Sequence, residues 1–138
     1  DEDLTRVAQY YADEGIPADV QTFFNDVPTR LSECQLVITR AGASTIADLS
    51  VIGRPSILVP LAMAVRDEQS ANAQQLVEAG AAIMVPESQM HVESLSAQIA
   101  AVLGNPDGAV KMAQAALACG KPDATQTLVD LTLDLAKK

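Results

Sequence analysis

Two short runs of unbroken apolar character, Leu36-Val37-Ile38-Thr39 and Ile57-Leu58-Val59-Pro60, flank a stretch that Ser44 can cap and Gly53 can end. That alternation constrains the fold more than any other feature of the chain. A strand that is apolar along its whole length is covered on both faces, which is the condition of a parallel sheet, and parallel strands need a crossover of helical length. The same unit repeats downstream: a loop over Ala62 to Arg66, a helix from about Asp67 to Ala79, a stop at Gly80 and a strand over Ala82 to Val85. Upstream, Leu4, Val7, Ala8 and Tyr11 share one face of a helix that Gly15 and Pro17 terminate. A short strand over Val20 to Phe23 and a helix over Pro28 to Glu33 follow. Three helices close the chain, over about Val92 to Leu103, Gly108 to Ala118 and Ala124 to Ala136, bounded by Gly104-Asn105-Pro106 and Gly120-Lys121-Pro122.

The prediction is one α/β domain over residues 1–138, a doubly wound, Rossmann-like parallel sheet with right-handed crossovers and flanking helices. Such a nucleotide fold normally opens on a strand and a glycine-rich turn, whereas this chain opens on a helix, so its first βα units are expected to be missing. An exposed sheet edge would follow, and with it a capacity for self-association.

Charge narrows the partners. Eighteen acids against nine bases give a net charge of −9, which leaves no basic surface for a nucleic-acid backbone. The chain starts Asp1-Glu2-Asp3 and has no long apolar run, so neither a signal peptide nor a membrane span is expected, and the domain reads as cytoplasmic. Cys34 and Cys119 fit no redox or zinc spacing and read as buried thiols. His91, the single histidine, lacks a catalytic neighbour, and the acidic start reads better as a frayed end than as a metal pair.

In a doubly wound fold the ligand lies beyond the C-terminal ends of the strands, which brings Phe24-Asn25, Arg40 to Thr45 and Pro60 to Asn72 to one edge. Within Arg40-Ala41-Gly42-Ala43-Ser44-Thr45, small residues allow main-chain amides to approach a diphosphate, and the following helix turns its positive end toward it. Taken alone, the segment reads sooner as an ordinary turn with a serine cap. Asp48, one helical turn after Ser44, can accept from ribose hydroxyls or simply favour the helix dipole. Gln69 and Asn72 stand three apart on the next helix, so two amides, each donor and acceptor, face the same way and suit sugar hydroxyls.

Arg40-Ala-Gly-Ala-Ser-Thr-Ile-Ala-Asp-Leu, Gly53-Arg-Pro-Ser-Ile-Leu-Val-Pro, Asp67-x-Gln69-x-x-Asn72-Ala73 and Glu78-Ala-Gly-Ala-Ala occur together, in order. With Phe23-Phe24-Asn25-Asp26 and Gly120-Lys-Pro-Asp-Ala, they make nearly the whole chain resemble the C-terminal domain of the MurG family of bacterial N-acetylglucosaminyltransferases. Other glycosyltransferases with the Asp-Gln-x-x-Asn element usually carry His-Gly-Gly where this chain has Arg40-Ala41-Gly42. The resemblance implies the C-terminal half of a GT-B enzyme whose donor is UDP-N-acetylglucosamine, acting at the inner face of the plasma membrane. It implies a UDP-sugar site built from Phe24, Arg40, Gly42, Ala43, Ser44, Thr45, Asp48, Met63, Glu68, Gln69 and Asn72. Ala43, Ser44 and Thr45 would meet the diphosphate, Asp48 the ribose, the main chain of Phe24 the uracil, and Gln69 with Asn72 the sugar. No cofactor, metal ligand or catalytic residue is implied in this chain, since the lipid-linked acceptor and general base belong to the N-terminal domain. The sequence departs from the family at Asp48, commonly Glu, at Met63, often His, and at Glu68, where some members have Gln.

Overall fold

The computed structural model describes residues 2–63 and 67–137, so Asp1 and the second half of the expected 62–66 loop lie outside the described residues. Helix α1 (Glu2–Asp13) and α2 (Val27–Glu33) precede strand β1 (Val37–Thr39). Then come α3 (Ala43–Ile52), β2 (Ser56–Leu58), α4 (Glu68–Glu78), β3 (Ala82–Met84), a 3-10 turn over Glu87–Gln89, and α5 (Val92–Leu103), α6 (Pro106–Cys119) and α7 (Ala124–Ala136). The three strands form one parallel sheet in the order β1-β2-β3, with Val37 opposite Ser56, Thr39 opposite Leu58, and Leu58 opposite Met84. The expected α/β architecture with a parallel sheet is therefore present.

Strand β2 is central, and all three of its residues are buried. Leu58 belongs to a cluster with Ala41, Ile46, Leu49, Ala73, Leu76 and Ala116, which joins the sheet to α3, α4 and α6. Ile57, on the opposite face by strand alternation, is equally buried, so β2 is covered on both sides. Strand β1 differs from expectation because it has a described neighbour on one side only, and Ile38 is 44% exposed.

The stretch over Val20 to Phe23 is not a strand. Its β-branched and aromatic residues favour extension, yet a strand needs a ladder, and this segment pairs with none among the described residues. Helix α3 starts two residues earlier than expected, with the extended Gly42 at the cap and no side-chain bond, which places Ser44 inside the first turn instead of at the cap. Its far end is fixed by Gly53, whose φ of 73° is left-handed and whose added Cβ would sit 2.3 Å from Leu117 Cγ on α6. Glycine there lets α6 close onto α3. The two cysteines are partly exposed, not buried, because both lie at the margin of the helix layer.

Candidate functional site

The loops after β1 and β2 and the start of α4 meet at the C-terminal edge of the sheet, where Gln69 and Asn72 stitch them together. Gln69 Oε1 accepts from the main-chain N–H of Ala41 (3.2 Å) and of Leu61 (3.0 Å), one from each loop. Asn72 Nδ2 donates to the carbonyl of Ala41 (3.1 Å). The expected pairing of Gln69 and Asn72 on one face is met, but much of their hydrogen-bonding capacity is directed at the protein's own main chain. Asp67, before α4, adopts a left-handed φ of 55° with no side-chain cap bond. This non-glycine residue in the left-handed region leads the chain into the helix.

Arg40 extends across the strand ends. Its guanidinium donates to the carbonyls of Val59 (3.3 Å) and Pro60 (3.4 Å) and to Glu87 Oε1 (2.8 Å), while Glu87 Oε2 accepts from the N–H of Ala62 (3.2 Å). The Arg40 hydrogen bond, and then that of Ala62, holds the Glu87 carboxyl below its ordinary pKa. Glu87 was invisible to sequence reasoning, because it lies 47 residues from Arg40 and no local pattern pairs them.

Ala43, Ser44 and Asp48 are exposed on α3, with Thr45 half-buried beside them, so the start of this helix is open to a ligand. Met63 is 90% exposed and Glu68 is exposed, both at the outer rim. A groove of about 430 Å³ runs from Ala43 and Asn72 between α3 and α4 toward Lys121. Phe24 is half-buried beneath Arg30, whose guanidinium carbon lies 4.2 Å from the ring centroid. Arg30 also donates to Asp26 (2.9 Å) and to Asp19, anchoring the irregular 19–26 segment to α2. These bonds, Asp26 first, raise the Arg30 pKa; Gln21 and then Arg30 lower that of Asp19. Sequence reasoning missed Arg30, although Asp26 four residues earlier at a helix start was a readable signal. No group of metal-ligating side chains occurs among the described residues.

The parallel sheet with an open helix start and an amide pair beside it is an α/β domain whose open edge lies at the strand C-termini. Residues 1–128 match the glycosyltransferase family 28 C-terminal domain, and the chain is a member of this family. Among its relatives are the UDP-N-acetylglucosamine--N-acetylmuramyl-(pentapeptide) pyrophosphoryl-undecaprenol N-acetylglucosamine transferases of two bacteria. That of Rhodospirillum centenum is 44% identical over 135 residues, covering 98% of this chain and 36% of the relative. That of a Bradyrhizobium species is 45% identical over 135 residues, covering 98% and 37%. The crystal structure of Acinetobacter baumannii MurG superposes with a TM-score of 0.84 at 36% identity, covering 93% of this chain and 39% of that one. This chain thus spans little more than a third of the length of these relatives.

Proposed function

We propose that this chain is the donor-binding part of an inverting transferase that moves N-acetylglucosamine from UDP to the C4 hydroxyl of a muramoyl sugar on a polyprenyl diphosphate, converting lipid I to lipid II. The observation that carries the reading is the junction of the α3 start, which carries no side-chain cap bond, with the Gln69 and Asn72 face. Main-chain amides of Ala43, Ser44 and Thr45 and the positive end of α3 receive the diphosphate, and Asp48 accepts from the ribose. The main chain of Phe24 meets the uracil. Gln69 donates to the sugar through its Nε2, which has no partner among the described residues, with Asn72, Glu68 and Met63 completing the rim.

In the reaction the acceptor oxygen attacks the anomeric carbon as the bond from that carbon to the diphosphate oxygen breaks. UDP leaves with the electron pair, its developing charge stabilised by the α3 amides. The acceptor's proton goes to a base outside this chain, so the chain alone does not turn over. The intact enzyme works peripherally at the cytoplasmic face of the membrane; among the described residues no helix is long and apolar enough to cross one.

Calorimetric titration of the full-length protein tests the donor assignment. UDP and UDP-N-acetylglucosamine should bind, and ADP much more weakly. Equal affinity for ADP and UDP would sink it.

A further inference from the structure

Of the contacts that shape the strand-end loops, the Arg40–Glu87 bridge is the one no motif accounts for. Glu87 is two residues beyond the buried Val85 that follows β3, yet it reaches the loop after β2 through Ala62 and the loop after β1 through Arg40. Gln69 and Asn72 already hold Ala41, beside the α3 start, by its main chain. Three side chains restrain the 60–63 segment: Gln69 takes the N–H of Leu61, Arg40 the carbonyl of Pro60, and Glu87 the N–H of Ala62. Met63, at its end, is 90% exposed.

We propose that Glu87 is a positioning residue for the donor sugar, its two carboxylate oxygens holding the 60–63 segment and the Arg40 guanidinium in the one arrangement that faces the hexose. The assignment rests on the donor-site reading above. Two oxygens are required because two donors converge on them, one charged and one main-chain. A glutamine of the same shape accepts at one oxygen and turns an NH2 against the second donor. The bridge is partly exposed, with side-chain accessibilities of 46% for Arg40 and 37% for Glu87, so its share in overall stability is small. That separates positioning from folding, since the donor site can loosen while the melting temperature stays put.

The experiment uses the full-length protein with Glu87→Gln and Glu87→Asp, and Glu93→Gln on exposed α5 as a control. Glu87→Gln should raise KM for UDP-N-acetylglucosamine by roughly three- to tenfold, the cost of one charge-assisted hydrogen bond at a half-exposed site. Its kcat, its affinity for free UDP and its melting temperature should stay near wild type. Glu87→Asp, which keeps both acceptors on a shorter stem, should recover part of the loss. Wild-type KM in Glu87→Gln overturns the assignment, and so does a parallel loss of UDP affinity or a large drop in melting temperature, either of which makes Glu87 a general structural residue. A wild-type protein that binds neither UDP nor the UDP-sugar overturns the donor-site reading itself, and this assignment with it.

Discussion

The side-chain carbonyl of Gln69 has two lone pairs, and a main-chain amide from a different loop is directed at each. Alanine at this position would release the Ala41 and Leu61 amides together and move the α3 start as well as the sugar loop. Gln69→Ala in the full-length protein is therefore expected to weaken free UDP and the UDP-sugar alike, whereas Glu87→Gln distinguishes them. Retained UDP affinity in Gln69→Ala, measured by calorimetry, would confine Gln69 to the sugar. Ser56 presents the converse case, because its hydroxyl is fully buried in β2 and has no hydrogen-bond partner among the described residues. A buried unsatisfied hydroxyl costs about 1–3 kcal/mol, so Ser56→Ala should leave stability unchanged or raise it by up to about 1 kcal/mol in urea denaturation. A clear loss would mean that the hydroxyl is satisfied in solution.

At the scale of elements, α3 carries the diphosphate end of the proposed site and is seated by Leu49, which is fully buried against the sheet layer. Leu49→Ala should cost about 2–5 kcal/mol in thermal or urea unfolding, because a cavity in so close-packed a layer does not collapse. A loss below about 1 kcal/mol would show that α3 is not seated through Leu49. Most elements were legible because their signals are local. The bounds of α5 and α7 agree with the periodicity, and three glycines with left-handed φ, Gly15, Gly53 and Gly80, follow the helices they were expected to stop. Helix α6 begins two residues before the expected Gly108, since Pro106 suits a first turn and Asn105 caps it by accepting from the Gly108 N–H. What was not legible depends on partners distant in sequence. The Val20 to Phe23 stretch has strand propensity but no ladder, and β1 reads as doubly buried from composition alone although its outer side has no described neighbour. At the site, the shared face of Gln69 and Asn72 could be read from spacing, but not the main-chain groups they hold, nor the reach of Glu87 to Arg40.

Across the whole molecule, the paired carboxylates set a response to acid. Asp19 and Glu87 both have folded-state pKa values below their ordinary values of 3.8 and 4.5. Their contribution is complete above those values and is lost as pH falls through the lower folded ones. The Ala62 amide, bonded to Glu87, should therefore keep its hydrogen-exchange protection from neutral pH down to the ordinary carboxylate range and lose it below. Loss of protection already near neutrality would contradict the Glu87 assignment. The surface carries a second expectation. Leu128, Val129, Leu131, Leu133 and Leu135 of α7 are all at least 45% exposed, and the outer side of β1 has no described neighbour. As an isolated 138-residue chain, the protein should self-associate with rising concentration in light scattering; a strictly monomeric mass would refute this.

The strand order β1-β2-β3 is also a timetable. Each strand pairs with the next one made, so the sheet is assembled from contacts of modest sequence separation and can grow in step with synthesis at roughly 5–20 residues per second. Helix α6, against which Gly53 is closed by Leu117, comes far later. For a few seconds after β3 leaves the ribosome, at about that rate, α3 has its sheet but not its clasp. During that interval the nascent chain presents an unfinished apolar face, and a pause in translation while α6 is still inside the ribosome would prolong its exposure to chaperones.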